Sequence, residues 1–388
     1  MKPFPFILLL LLLTGCFKAD ISQSDSFIST FMVTAEHQPS KAVAWADSIT
    51  GIHTMPFIEG EEVLFLFRGD VESVVWNGDF NRWGRDVTNE GSRISGSDWW
   101  FSTSTFPKDA RLDYKIVING TDWIEDSLNP HRQLGGGGFN SVIKMPEWQD
   151  LSVEADASQR GTTAAQRSMR SDVLEASVSY IIHKTPNFSE NQPFGILVIT
   201  DGHEYVHPET GNIFSQADYL DQENLIMPLV LIAVDPRDPE TGENLRADHY
   251  VRKQDYLRFI GDELPNHYAA LFEQSTRNAI LGTSFGGFFA TRLSGTNPER
   301  FPHAIIQSPA YWPEPEMLDV WRNTTRDDSR RIVLTYGTIH DGAEWSEVFW
   351  DILQEKTEQA TQIVVNEGHS WGAWRNQIPK ALMSVFGE

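Results

Sequence analysis

One stretch constrains this chain more than any other. Asn278 to Leu281 form a short apolar run, Gly282-Thr283-Ser284-Phe285-Gly286-Gly287 follows, and Phe288-Phe289-Ala290 begins a segment that reads as a helix start. Strand, sharp turn and helix is the setting in which a G-x-S-x-G serine acts as a nucleophile. The glycines have a physical task there. The turn holds the serine in strained backbone, and side chains two residues to either side would strike the neighbouring strand and helix. The helix N-terminus behind the serine puts positive partial charge where an oxyanion would form. A bare G-x-S-x-G also occurs as an ordinary Gly/Ser turn. The reading therefore depends on a base and an acid following in the right order.

The chain has 388 residues, enough for two domains. Its net charge of −23, from 54 acidic and 31 basic residues, excludes a nucleic-acid partner, because phosphate backbones need a basic footprint. Thirteen Trp and 23 Phe suggest aromatic-lined surfaces as well as core. The single cysteine, Cys16, rules out an internal disulfide. It follows Met1-Lys2 and the apolar stretch from Phe4 to Leu13, which is too short to span a bilayer. Leu13-Thr14-Gly15-Cys16 resembles the lipobox of bacterial lipoproteins. That resemblance implies cleavage before Cys16 and a lipid on its sulfur. Phe17, in place of the Asp typical of inner-membrane retention, favours the outer membrane and an envelope location. Residues 1–16 are thus expected to be a signal, and the polar residues 17–49 a tether.

Residues 50–148 carry short strands with regular turn signals, among them Val63-Leu64-Phe65-Leu66-Phe67, Trp99 to Thr103 and Leu112 to Ile118. This spacing predicts a small all-β, immunoglobulin-like sandwich. Val75-Trp76-Asn77-Gly78-Asp79-Phe80-Asn81-Arg82-Trp83, then Tyr114 to Gly120 with Trp123, is similar to the signature of glycogen-binding modules of the early-set type. Trp76, Trp83, Trp100 and Trp123 suit stacking on sugar rings, and they equally suit the sandwich core or a packing surface. Residues 149–172 are polar and read as a linker.

From 173 to 388 strands alternate with helices. Gly195 to Thr200 and Leu229 to Val234 are near-continuous apolar runs, as in strands buried on both faces. Tyr256 to Phe272, Glu344 to Glu358 and Gln377 to Phe386 read as helices. The expected class is α/β, with a mostly parallel sheet and helices on both faces.

Acyl transfer through a serine needs a base and an acid that orients the base. His369, beside Gly368 and ahead of the last helix, is the base candidate. His303, behind Pro302 at a strand head, reads as structural, and His340 is less well placed. Asp341 is preferred as the acid over Glu344. The oxyanion donors would be the backbone N–H of Phe285 and one from the turn holding Gly202 and His203. No HExxH, CxxC or clustered histidines call for a metal, and the chemistry needs no cofactor.

Leu197 to Gly202, the serine block with Asn297-Pro298-Glu299-Arg300-Phe301 and Gln307-Ser308-Pro309-Ala310-Tyr311-Trp312, and Glu367-Gly368-His369 with Trp374-Arg375 together resemble the esterase D group of α/β-hydrolases, in its enterochelin-esterase branch. The resemblance covers about residue 170 to the end. It implies an α/β-hydrolase fold and a serine ester hydrolase, with Arg246 helping to hold substrate. Trp312, Trp371 and Trp374 are expected to form an aromatic wall. The substrate expected is an ester, either a siderophore trilactone or a feruloyl or acetyl ester on a polysaccharide. Ser370, where relatives often carry Asp, and the loose match around Arg246 leave the substrate open. A glycan-binding lipoprotein with an inert hydrolase half, and acyl transfer to another acceptor, are the rival readings.

Overall fold

Alternate residues of the central strands point into two separate apolar layers. Ile196, Val198, Val230, Ile232 and Ile280 face one layer, packed by Phe288, Leu293, Phe349 and Leu353. Leu197, Ile199, Leu229, Leu231, Ala279 and Leu281 face the other, packed by Tyr205, Leu220, Ile378, Leu382 and Phe386. A sheet apolar on both faces has to be covered twice, and helices do so. Phe285–Thr296 and Ala343–Lys356 lie on the first face, Ile213–Gln222 and Trp371–Phe386 on the second.

A computed structural model describes residues 26–85 and 89–387. The lipobox reading at Cys16 falls outside the described residues. The main sheet runs Leu229–Val234, Gly195–Ile199, Arg277–Thr283, His303–Gln307, Ile332–Gly337, Ala360–Val365, all parallel. Ala176–Lys184 joins it antiparallel beside Leu229–Val234. Thr162–Thr163 and Arg167–Ser171 pair with Ala176–Lys184 in turn. The expected linker 149–172 therefore contributes two edge strands. Their exposed polar residues hide the strand character, because an edge strand buries little on either face.

Tyr256 to Phe272 is broken rather than one helix. The pieces are Gln254–Arg258, Phe259–Glu263 in wider π turns, Leu264–His267 and Ala269–Gln274. Pro265, which lacks an N–H, sits in the first turn of Leu264–His267, a place where none is needed.

Ahead of the main sheet stand two antiparallel sheets. One orders Phe57–Glu59, Glu62–Arg68, Trp99–Thr105 and Ser92–Arg93. The other orders Val74–Gly78, Arg111–Ile118, Gly138–Lys144 and Arg132–Gly135, with Asp122–Ile124 also on Arg111–Ile118. Val63, Phe65, Trp76, Leu112, Tyr114 and Ile143 fill the core between them.

The strand Glu62–Arg68 is apolar on its outer face too. Leu64 and Leu66 are fully buried there, against Ile28, Phe31, Ala42 and Ala46. These residues belong to the helices Phe27–His37 and Pro39–Ile52, which occupy most of the expected tether 17–49. Covering two leucines is worth about 1.5–3 kcal/mol each, enough to order a segment of mixed polarity. Ser26 caps the first helix by accepting from the Ser29 N–H at 3.0 Å.

The sandwich and the main sheet meet across Asp79, Arg111 and Asp113. Asp79 is buried, accepting from the Asp113 N–H at 2.8 Å and from Trp83 Nε1 at 3.0 Å. Burial, helped by the neighbouring Asp113 charge, pushes its carboxyl up to about 8. The unfolded chain loses this proton near pH 4. Between those values the native state holds a proton that the unfolded state lacks, so this group's contribution falls as pH rises. Asp79→Asn is expected to remove that slope. Its thermal midpoint relative to the parent should climb between about pH 5 and pH 8; a constant difference would count against the assignment.

Candidate active site

Ser284 stands between the strand Arg277–Thr283 and the helix Phe285–Thr296 with φ 57° and ψ −118°. That is positive-φ backbone in a non-glycine residue, a strained state that surrounding structure must enforce. The enforcement is visible. The Ser284 N–H donates to the Gln307 carbonyl at 3.0 Å, and its own carbonyl accepts from the Ala310 N–H at 3.0 Å. A Cβ at Gly282 would collide with the Gly286 backbone, and one at Gly286 with Thr200 Oγ1. Both glycines of the motif are thus required by close approach. The Phe285 N–H, first of its helix, has no intrahelical acceptor.

Asp341 follows the strand Ile332–Gly337 and is buried. Its Oδ1 lies 2.5 Å from His369 Nδ1. Its Oδ2 accepts from Ser308 Oγ at 2.5 Å and from the Gly337 N–H at 2.6 Å. Ser308 in turn accepts from Trp374 Nε1 at 2.8 Å. With its second oxygen held by two donors, the carboxylate cannot rotate away from the histidine. The His369 ring sits edge-on to Trp374, with centroids 4.8 Å apart at 89°. Ser284 Oγ makes no hydrogen bond to His369, though both line one cavity; such contacts commonly close only around substrate.

That cavity measures about 580 Å³ and is built by both halves of the chain. The hydrolase half supplies Ser284, His369, Glu204, Arg246, Trp371 and Trp374. The sandwich supplies Trp83, Trp123, Lys115 and the glycine-rich hairpin tip 135–137. The Trp83 and Trp123 rings lie stacked, 6.5 Å apart at 26°. Burial raises the Glu204 carboxyl, and nearby Asp201 adds to the rise.

The expected residues divide as follows. Ser284, His369 and Asp341 converge. Glu344 is exposed in the first turn of the helix Ala343–Lys356, and His340 is exposed at φ 54°, so neither serves His369. His303 accepts from the Arg331 N–H at 2.9 Å in a buried site that lowers its pKa to about 4. Gly202 and His203 open the short helix Gly202–Val206, directly after Gly195–Ile199 and beside the serine strand. Gly202 has no room for a Cβ against Ala233. Burial lowers the His203 pKa, against the pull of Asp235. Arg246 is tied to Asp201 Oδ1 at 2.7 Å and to the Thr283 carbonyl at 2.9 Å, bracing the turn next to the serine while one face lines the cavity.

The aromatic wall differs from expectation. Trp371 and Trp374 line the cavity but are mostly buried, while Trp312 is 67% exposed, packs on Phe285 and stands outside the lining. Trp83 and Trp123 take its place, whereas Trp76 and Trp100 are core. Ser308 went unnoticed as a partner of Asp341, because only the fold brings the loops after two strands together. Among the described residues no group of three or more His, Cys, Asp or Glu is arranged to hold a metal ion.

A parallel sheet with serine, carboxylate and histidine, in that chain order, on loops at its carboxyl edge is the α/β-hydrolase plan. Residues 171–385 match the esterase family model, so the chain belongs to that family and is a serine ester hydrolase. It is 24% identical over 332 residues to the iron(III) enterobactin esterase of Escherichia coli O6:H1, spanning 76% of this chain and 81% of that one. The crystal structure of the enterobactin esterase from Shigella flexneri superposes with a TM-score of 0.67 at 20% identity, over 84% of this chain and 92% of that one. The ferric enterobactin esterase from Salmonella typhimurium gives 0.68 at 18% identity, over 88% and 98%. These coverages extend the shared fold well ahead of residue 171.

Asp341→Asn is expected to lower kcat on a simple ester by about 10³- to 10⁴-fold with little change in melting temperature, because the amide fixes the wrong tautomer of His369. Glu344→Gln should leave kcat unchanged; the opposite ranking would move the acid to Glu344.

Proposed function

We propose that the chain hydrolyses carboxylic esters through a covalent acyl-enzyme, with Ser284 as nucleophile, His369 as base and Asp341 as orienting acid. The observation that carries this is the buried Asp341–His369 pair beside the same cavity as a strained Ser284. Ser284 Oγ attacks the ester carbonyl carbon while His369 Nε2 takes its proton. Charge on the carbonyl oxygen is met by the N–H of Phe285 and one from the Gly202–His203 turn, about 3 kcal/mol per donor. His369 then returns the proton to the leaving alcohol oxygen as its bond to the carbonyl carbon breaks. Water, deprotonated by His369, attacks the acyl carbon; the bond to Ser284 Oγ breaks, His369 returns the proton to Oγ, and the acid leaves.

The likeness to enterobactin esterases makes a siderophore trilactone of the enterochelin kind the first substrate candidate. A second reading, a feruloyl or acetyl ester on a polysaccharide, is favoured by the cavity's own chemistry. An anionic iron-loaded siderophore would meet little positive charge, because Arg246 is paired with Asp201 and Lys115 is the lining's other lysine or arginine. The near-parallel rings of Trp83 and Trp123 offer instead apolar faces for an aryl or sugar ring. The sandwich, read as an early-set glycogen-binding-like module, would then present a glycan-linked ester to Ser284.

A turnover panel separates these readings. Ser284→Ala should abolish hydrolysis of p-nitrophenyl acetate and labelling by a fluorophosphonate; retained turnover would sink the triad. Trp83→Ala and Trp123→Ala should raise KM about tenfold for methyl ferulate, with p-nitrophenyl acetate unaffected. Faster turnover of enterobactin than of ferulate would restore the siderophore reading. No labelling of the parent chain, with tight glycan binding, would favour a non-catalytic glycan binder.

We propose separately that the protein is held in the cell envelope by a lipid at Cys16, on the outer membrane facing the periplasm or the surface. It rests on Leu13-Thr14-Gly15-Cys16 alone. Cys16→Ser should move the protein from the membrane to the soluble fraction; unchanged fractionation would refute the anchor.

A further inference from the structure

The loop that carries His369 is held by the sandwich as much as by its own sheet. The Arg111 N–H donates to the Asn366 carbonyl at 3.2 Å, and Arg111 forms a parallel bridge with Glu367. One strand of the sandwich thus touches the chain two residues before the histidine. The Arg111 side chain, 3% exposed, then reaches past the histidine. Its Nη1 donates to Ser370 Oγ at 3.2 Å and pairs with Asp113 Oδ1 at 3.0 Å, and its Nη2 donates to Gln133 Oε1 at 3.4 Å.

Two glycines record how tight this grip is. A Cβ at Gly372 would strike the Arg111 guanidinium, and one at Gly368 would strike the Asp79 carboxyl. Glycine is needed at both places for contact between domains, since neither has positive φ. Ser370 is also the N-cap of the final helix Trp371–Phe386, accepting from the Ala373 N–H. A single hydroxyl next to the histidine therefore joins the helix start to the guanidinium of the other domain.

Domain contact elsewhere would not need this arrangement. A buried arginine is costly to desolvate, and for stability alone apolar packing serves as well. A planar fork with fixed donors is suited to setting position. Asp341 sets the direction of the His369 ring through Nδ1, but it does not fix where the loop backbone lies. The contacts at Asn366, Ser370 and Gly372 do.

We propose that Arg111 is a positioning residue for His369, so that the sandwich is a working part of the catalytic centre and not only a substrate-presenting module. This rests on the triad reading given above. A shift of about 1 Å in the histidine would cost on the order of a hundredfold in rate.

The test uses the full chain and p-nitrophenyl acetate, which is small enough to react at Ser284 without spanning the cavity. Active sites are counted by fluorophosphonate labelling carried to completion, so that misfolded molecules do not enter kcat. Arg111→Ala is expected to lower kcat per active site about ten- to a hundredfold with KM nearly unchanged. Guanidinium at tens of millimolar, which should leave the parent unaffected, is expected to recover part of that loss. Arg111→Ala leaves Asp113 uncompensated and endangers folding. Arg111→Ala/Asp113→Asn removes that charge, and its kcat should fall likewise. A folded variant with full kcat per active site would overturn the proposal, as would a loss confined to KM or one indifferent to guanidinium. A parent chain without turnover would instead remove the esterase reading.

Discussion

Everything at the site follows from how closely three backbones approach around Ser284. The serine strand, the helix behind it and Thr200, just after the strand Gly195–Ile199, leave no space for a side chain at 282 or 286. That crowding holds Ser284 at positive φ and lifts its hydroxyl off the sheet edge. The strain is carried by neighbours whose own positions are settled. Gln307 accepts the Ser284 N–H and is itself held by Tyr205 and by the Trp374 carbonyl. Trp374 also holds Ser308, and Ser308 holds Asp341. Ser284 and Asp341 are therefore fixed by one connected set of groups at the ends of adjacent strands. Such a set resists the small displacements that degrade catalysis most.

How much of this was legible in the sequence depends on the range of the contact. The elbow was legible because its demand is local: two glycines, a serine and a helix start within a few residues. Chain order then pointed to Asp341 and His369, and the apolar runs of the parallel strands were plain because both faces are buried. Asp341 and Glu344 were alternatives in one dimension; in three, Asp341 meets His369 while the helix starting at Ala343 turns Glu344 to solvent. Trp312 was misjudged because burial and orientation are not properties of a residue type. It follows the same Gln-Ser-Pro stretch that holds the acid, yet the chain turns it outward onto Phe285.

The segments read as tether and linker show a second limit. Residues 26–52 have weak amphipathic character, and nothing local compels them to fold. Their helices form because Leu64 and Leu66 sit on the wrong face of a strand whose partners Val63 and Phe65 already fill a core. The run Val63-Leu64-Phe65-Leu66-Phe67 did carry the signal, since an unbroken apolar strand in a two-layer sandwich needs cover on its outer face. Edge strands such as Arg167–Ser171 carry less, because their pairing is through backbone groups that every residue shares.

The sandwich meets the candidate site at two places. Trp83 enters the cavity from a turn and Trp123 from the short strand Asp122–Ile124, while Arg111 enters the histidine loop from a central strand of the same sheet. Asp79 links the two routes. It receives Trp83 Nε1 on one oxygen and the Asp113 N–H on the other, while Asp113 pairs with Arg111. The Trp83–Trp123 pair and the loop that carries His369 therefore meet at one group of buried residues.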